Sequence, residues 1–206
     1  MKLKKVLAAT LAAAMVMSSA MTVCAGYYDS SSSSSESSTT EPEDVQAANA
    51  PVAVAGVTVR TSIAGAYAAK SVQGTAVITP LAEVKASLGL TGSQQPAITI
   101  YDTDPGKSPK ALACVNAAAD ALGAEVLTSL NIDLGAKEDG KWVTLSDGSV
   151  ALSTGLPKDA DPTKVYSAIC VQPGGVVTIL EDQDTNPLTV TFEVMAGIGT
   201  YAIVAK

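Results

Sequence analysis

The stretch Leu188–Val194 reads LTVTFEV and alternates apolar with polar side chains at every step. A period of two is typical of a β-strand, because successive side chains point to opposite faces. We expect the apolar side chains of this strand to face a core and Thr189, Thr191 and Glu193 to face water. A strand with one wet face is typical of an antiparallel sheet.

Turn dipeptides separate further short strands around this stretch: Asp139-Gly140, Asp147-Gly148 and Pro173-Gly174. The runs at Val165–Val171 and Tyr201–Ala205 are strand-like as well. Several short strands at regular spacing, with turn signals between them, favour a β-sandwich.

Two helices are predicted before these strands. Each of the segments Thr79–Gly89 and Ser108–Gly123 begins with a hydroxyl residue followed by proline and ends at glycine. The sequence therefore predicts an α+β fold, an antiparallel β-sandwich-like single domain with two helices, over residues 51–206. An alternative is a parallel strand–helix unit at Thr75–Leu134.

The C-terminal pattern is VYSAICV at 165–171, GG at 174–175, VTILED at 177–182, LTVTFEV at 188–194 and GTYAIV at 199–204. With the residues from about 140, it resembles a β-sandwich segment near the C-terminus of secreted and surface proteins of Gram-positive anaerobic bacteria. The resemblance implies an extracellular module without an assigned catalytic activity.

The N-terminus is predicted to be a signal peptide, residues 1–25. Three lysines precede an uncharged run at Val6–Val23, and small residues follow. This order is that of a secretory leader, with cleavage between Ala25 and Gly26. We predict that residues 26–50, rich in Ser, Thr and Glu, form a disordered linker.

Cys24 offers an alternative anchor. A lipoprotein signal would acylate this cysteine, and a serine-rich tether after it fits that reading. Such signals need a small residue before the cysteine, whereas Val23 is bulky. We therefore prefer a secreted or cell-surface protein without the lipid, and we expect no transmembrane helix in the mature chain.

Composition excludes several classes of function. The chain has no histidine, so histidine-dependent triads and histidine-ligated metal sites are absent. The net charge is −7, and removing the leader with its three lysines leaves 10 basic against 20 acidic side chains. An acidic protein is a poor ligand for nucleic acid. We accordingly predict that the protein is not an enzyme and uses no cofactor.

One loop has the spacing of a calcium site. Asp182, Asp184, Asn186 and Glu193 occupy positions one, three, five and twelve of a calcium-binding loop. Pro187 stands where that loop needs glycine, and a strand follows in place of a helix. We expect a polar hairpin loop that does not bind calcium.

Cys114 and Cys170 are predicted to be buried thiols, with a disulfide between them as the alternative. The strand at 165–171 is apolar on both faces, and the alanine-rich helix is a natural cover for the face that carries Cys170. Cys114 lies beside the apolar stripe of that helix. The two sulfurs would then be near enough to bond.

Two remaining features are each predicted to have a structural role. Trp142 is the chain's one tryptophan, and we favour a core or half-buried position over an exposed binding ring. Asp102 and Asp104 precede a Pro-Gly turn, and we expect solvated turn acids instead of an acid–base pair.

The sequence thus predicts a non-enzymatic interaction or structural module outside the cell. Its partner would be an extracellular protein or a glycan, not nucleic acid. The alternatives are a carbohydrate-binding accessory protein and a hydrolase that uses carboxylates alone.

Overall fold

The computed structural model describes residues 45–206, which form 13 strands and two helices. The helices are α1 (Leu81–Ser87) and α2 (Pro109–Leu122). The strands, in chain order, are β1 Val45–Gln46, β2 Pro51–Val54, β3 Val57–Arg60, β4 Ala64–Tyr67, β5 Thr75–Val77, β6 Gln95–Asp102, β7 Glu125–Glu138, β8 Lys141–Thr144, β9 Ser149–Gly155, β10 Tyr166–Gln172, β11 Val176–Glu181, β12 Thr189–Met195 and β13 Gly197–Ala205.

The large sheet is ordered β1-β4-β6-β7-β13-β10-β11. Strand β8 pairs with the far end of β7 through a hairpin at Asp139 and Gly140. Both turn residues have positive φ, which that type of tight turn requires. Only β4 and β6 pair in parallel within this sheet. The strand β13 lies between β7 and β10, although it comes last of the described strands.

A second sheet, ordered β12-β9-β5, packs on the inner face of the large one. The main core lies between the two sheets, and the rings of Phe192 on β12 and Tyr201 on β13 stack there with centroids 5.7 Å apart. A small hairpin, β2-β3, packs beside them. The predicted α+β sandwich-like fold is confirmed.

The segment Thr75–Leu134 is not a parallel unit. Strand β5 belongs to the small sheet, and β6 and β7 are antiparallel neighbours. The first helix also differs in detail, because Pro80 is its N-cap and Thr79 lies outside the helix. The Thr79 hydroxyl accepts a hydrogen bond from the Ala151 N–H at 2.7 Å, which ties the helix to β9.

The prediction that one face of β12 is wet is wrong near its start. Val190, Phe192 and Val194 face the core as expected, but Thr189 and Thr191 are buried too. The loop between β11 and β12 covers them, and both hydroxyls donate hydrogen bonds to Asp184. A hydroxyl can be buried when it finds an acceptor, so alternation alone does not identify a wet face.

Helix α2 lies on the outer face of the large sheet. It begins after Ser108 and ends at Gly123, whose φ of 62° is left-handed, as the sequence predicts. Its buried side, which includes Cys114, Val115 and Ala119, packs on Ile169 and on other outward residues of β10, β11 and β13. These contacts form a second, smaller core.

The alternative disulfide between Cys114 and Cys170 is wrong. Cys170 is a free thiol that faces the main core with Tyr166 and Ala168. The helix covers the opposite face of β10, where Ile169 and Val171 lie. Both faces of β10 are apolar, so the sequence did not distinguish the face under the helix from the face under the second sheet.

Several sequence predictions fall outside the described residues. These are the signal peptide, the cleavage site at Ala25 and Gly26, the anchor at Cys24, and most of the linker. The first described residues, Val45 and Gln46, pair with β4, and they lie within the segment predicted as linker. In residues 45–206, no helix has the length and apolar character needed to cross a membrane.

Burial makes the Cys170 thiol unreactive in the native protein. Desolvation raises the pKa of Cys170 to about 11, and the thiolate is the reactive form. We expect iodoacetamide at about pH 8 to leave Cys170 unmodified in the folded protein and to label it fully in urea. Mass spectrometry of the peptide that contains Cys170 measures this. Native labelling at the rate of an exposed cysteine would contradict the burial.

Candidate functional site

Exposed aromatic rings are concentrated on one surface. Six of the chain's eight aromatic residues lie in the described region. Four are buried in the main core, and two are exposed: Tyr101 by 42% and Trp142 by 36%. Large rings with one face in water are enriched at binding surfaces, because they supply contact area at a low cost in side-chain entropy.

Both exposed rings belong to the outer face of the large sheet. Leu130, Ile132 and Leu134 of β7 point into the core, so the residues between them point outward. Tyr101 lies opposite Asn131 and therefore shares the outer face. The Trp142 ring lies on Gly135, where an added Cβ would approach the ring's Cζ2 atom to 2.7 Å.

Asp133 lies between the two rings along β7. Its neighbours across the sheet are Thr99 on β6 and Ile198 on β13, and Ile198 is 56% exposed. We call Thr99, Tyr101, Asp133, Trp142 and Ile198 the aromatic face.

The carboxylate of Asp133 is not satisfied by the fold. Its Oδ1 atom is buried and has no hydrogen-bond partner within the described part of the chain. Burial raises the pKa of Asp133, because the charged form loses hydration. An acceptor held in this state is costly for stability, so it is a candidate for binding an external donor.

A groove of about 780 Å³ continues from the aromatic face. It lies between the first turn of α2, the turn that joins β10 to β11, and the start of β13. Ile198 lines the groove and borders Asp133, so it connects the two surfaces. The volume is within the range of small-molecule pockets. We call this cavity the helix groove.

Asn131 joins the helix groove to the sheet. Its Oδ1 accepts hydrogen bonds from the hydroxyls of Thr200, at 2.8 Å, and Thr103, at 3.3 Å. Its Nδ2 donates to the Ser108 hydroxyl at the start of α2, at 3.4 Å. The amide thereby fixes the helix end relative to the outer face of the sheet.

Trp142 lies nearer the surface than expected. The sequence favours a core or half-buried position, whereas the structure packs the ring on the outside of the sheet. Only glycine at position 135 permits this contact. Asp133 was not a sequence candidate, although the alternation of β7 placed it opposite the apolar positions.

The four calcium-loop candidates do not form one site. Asp182, Asp184 and Asn186 lie in the loop before β12, while Glu193 lies in β12 opposite Ala151. Among residues 45–206, no group of three or more acidic or cysteine side chains is arranged to hold a metal ion.

The loop uses its oxygen atoms internally. Asp182 accepts the N–H of Asp184 at 3.1 Å, Asp184 accepts that of Asn186 at 2.7 Å, and Asn186 accepts that of Leu188 at 3.1 Å. Asp182 also accepts the Thr191 N–H at 2.9 Å. Burial raises the pKa of Asp182, the Asp184 carboxylate adds to the rise, and the accepted backbone N–H groups offset it only in part. The acids therefore hold the loop onto β12.

Asp102 and Asp104 also accept hydrogen bonds from other residues of the protein. Burial opposes ionisation of Asp102, but the Ser71 hydroxyl and the N–H groups of Lys70 and Ser71 outweigh it and lower the pKa. Asp104 accepts the Gly106 N–H at 2.8 Å. The two carboxylates act separately as caps, as expected for turn acids.

Comparison with known proteins gives no relative: no protein-family model, curated protein or solved structure matches the chain.

We expect Asp184→Ala to destabilise the protein by about 1–3 kcal/mol, because it leaves two buried hydroxyls and an N–H without their acceptor. Millimolar calcium should not shift the melting temperature of the unmodified chain. Thermal and urea unfolding measure both effects. The exposed Asp159→Ala is the control and should leave stability unchanged. A calcium-dependent rise in melting temperature that Asp184→Ala removes would show a real calcium site.

We expect Asp133→Asn to increase the free energy of unfolding at neutral pH. A raised pKa in the folded state means that ionisation costs stability. This cost is absent below the unfolded pKa, about 3.9, and is complete above the folded pKa. The advantage of the variant should therefore be small near pH 3 and larger near pH 7.

Urea unfolding of both proteins across this pH range measures the difference. Asp102→Asn is the matched control with the opposite sign, because the pKa of Asp102 is lowered by its hydrogen bonds. Relative to the parent protein, that control should become less stable as the pH rises. An Asp133→Asn variant that is less stable than the parent near pH 7 would contradict the burial cost.

Proposed function

We propose that the chain is a secreted or cell-surface, non-enzymatic interaction module that binds its partner through the aromatic face. The observation that carries this proposal is the placement of both exposed rings, Tyr101 and Trp142, on one face of one sheet beside an unsatisfied carboxylate. A fold that needed rings only for its core would bury them with the other four.

The leader-like N-terminus and the acidic composition support an extracellular role. A net charge of −7 disfavours nucleic acid and anionic membrane surfaces as partners. Helix α2 covers the β10, β11 and β13 part of the outer face and the start of β7, whereas Tyr101 and Trp142, on the β6–β7–β8 side, are exposed within the described part of the chain.

A carbohydrate-binding accessory protein is the second candidate, and the aromatic face favours it specifically. The third, a carboxylate-dependent hydrolase, has less support. Such an enzyme needs two carboxyl groups across a substrate. The acid pairs that the sequence offers are Asp102 with Asp104 and Asp182 with Asp184. Their carboxylates accept hydrogen bonds from N–H and O–H groups of the protein itself.

Export and surface binding can be tested together. The full-length protein is quantified by mass spectrometry in the medium, on intact producing cells and in the cell interior. We expect it outside or protease-accessible on the surface. Recovery in the interior only would contradict an extracellular role.

Purified exported protein is then fluorescently labelled and titrated onto producing cells. We expect saturable binding that Tyr101→Ala weakens at least tenfold, as for a central interface ring. Leu188→Ala is the control, since Leu188 is 47% exposed but lies before β12, away from the aromatic face. Equal loss in both variants, or in neither, would contradict this surface.

A further inference from the structure

We propose that the aromatic face binds a neutral polysaccharide chain with flat, equatorially substituted sugar rings, stacked on Trp142 and Tyr101 and hydrogen-bonded to Asp133. This inference rests on the proposed function and names the partner of the same surface.

The shape of the site favours an extended chain. The aromatic face lies on the outside of a sheet, and the strands β6, β7, β8 and β13 supply it. From Asn131, opposite Tyr101, to Gly135, under the Trp142 ring, β7 advances four residues, which is about 13 Å at about 3.3 Å per residue. A single sugar ring cannot reach both aromatic rings, whereas an oligosaccharide can.

The rings suit sugar faces in their electronic character. The face of an aromatic ring is negative and its edge is positive. A pyranose with equatorial hydroxyls presents a flat patch of C–H groups whose hydrogens carry partial positive charge. Axial substituents would break that patch, so flat rings are preferred over bent or α-linked chains.

Asp133 would fix the orientation of the sugar, which stacking on an aromatic ring does not. A carboxylate accepts O–H donors in short, strong hydrogen bonds, and its buried Oδ1 has no partner in residues 45–206. The Asp133 residue as a whole is half-buried, so a sugar hydroxyl can approach its carboxyl group without bringing a charge, and a small rotation of the side chain would bring the covered Oδ1 atom to that donor. The hydroxyl of Thr99, opposite Asp133, lies on the same face.

The charge of the site selects against acidic chains. Asp133 is the charged side chain at the centre of the aromatic face, and the whole protein is acidic. A basic side chain, Lys137, lies opposite Trp142 at one end of the face, so the repulsion of an anionic glycan acts at Asp133. An anionic glycan would meet repulsion, and its own carboxylates could not donate to Asp133. A neutral chain avoids both costs.

The helix groove could accommodate a part of the polysaccharide that extends beyond the aromatic face. It opens beside Ile198, on the β13 side of Asp133. A branch or a further sugar could enter the groove while the rest of the polysaccharide stays on the outer face of the sheet. The proposal does not depend on the groove, because the two rings and Asp133 lie outside it.

The test is affinity electrophoresis of the exported full-length protein through gels that contain a soluble polysaccharide. Hydroxyethylcellulose and a xylan free of uronic acid groups are neutral and β-1,4-linked. Carboxymethylcellulose has the same backbone with negative charges, and dextran is neutral but α-linked. We expect retardation by the first two, with at least tenfold weaker binding to the last two.

Variants then locate the site. Trp142→Ala, Tyr101→Ala and Asp133→Asn should each weaken binding at least tenfold, while Leu188→Ala should bind as the parent does. Trp142→Phe keeps a ring and should retain most of the binding, which separates stacking from misfolding. Asp133→Asn should also keep or raise the melting temperature, so its loss of binding cannot come from unfolding.

Several outcomes would overturn the proposal. Absence of binding to both hydroxyethylcellulose and xylan would do so, as would binding that all three variants retain, or equal binding to dextran. If cells still bind the protein through Tyr101 while no polysaccharide does, the glycan is wrong and the interaction module stands. A self-associating protein that dissociates on Trp142→Ala would show that a second copy occupies the face.

Discussion

The alternation of strand β7 is the constraint on which the rest of the structure depends. Its 14 residues pair with β6 on one side and with β13 and β8 on the other, so its register is fixed from both edges. Leu130, Ile132 and Leu134 are thereby held in the core. A slip of one residue would expose these side chains and bury the Asp133 carboxylate beneath the second sheet. The outer face is therefore specified by the same register that builds the core.

Much of the fold could be predicted from single segments, because their signals are local. The period of two in β12 and the proline and glycine at the ends of α2 each depend on neighbouring residues alone. Pairing between distant strands is not local. The sequence therefore could not assign α2 to the Ile169 face of β10 over the Cys170 face, and it could not bring Tyr101 and Trp142 onto one surface. Those outcomes depend on strand order across the sheet.

The calcium-like spacing at Asp182 has a simpler physical origin. A side-chain oxygen that accepts the N–H two residues ahead repeats naturally at positions one, three and five, and this loop makes three such turns in succession. The same spacing thus arises from backbone satisfaction without a metal. Thr189 and Thr191 complete the arrangement, since the loop can cover β12 only if their hydroxyls find acceptors.

The position of β13 has a consequence for how the protein is made. This strand joins β7 to β10, so the two halves of the large sheet remain separate until Gly197–Ala205 has been synthesised. The contacts that close the sheet connect residues far apart in the chain, and such contacts form slowly. A nascent chain would stay open through most of translation. For the export proposed above, that delay would be an advantage, because a chain threaded through a narrow channel must stay unfolded until β13 has emerged.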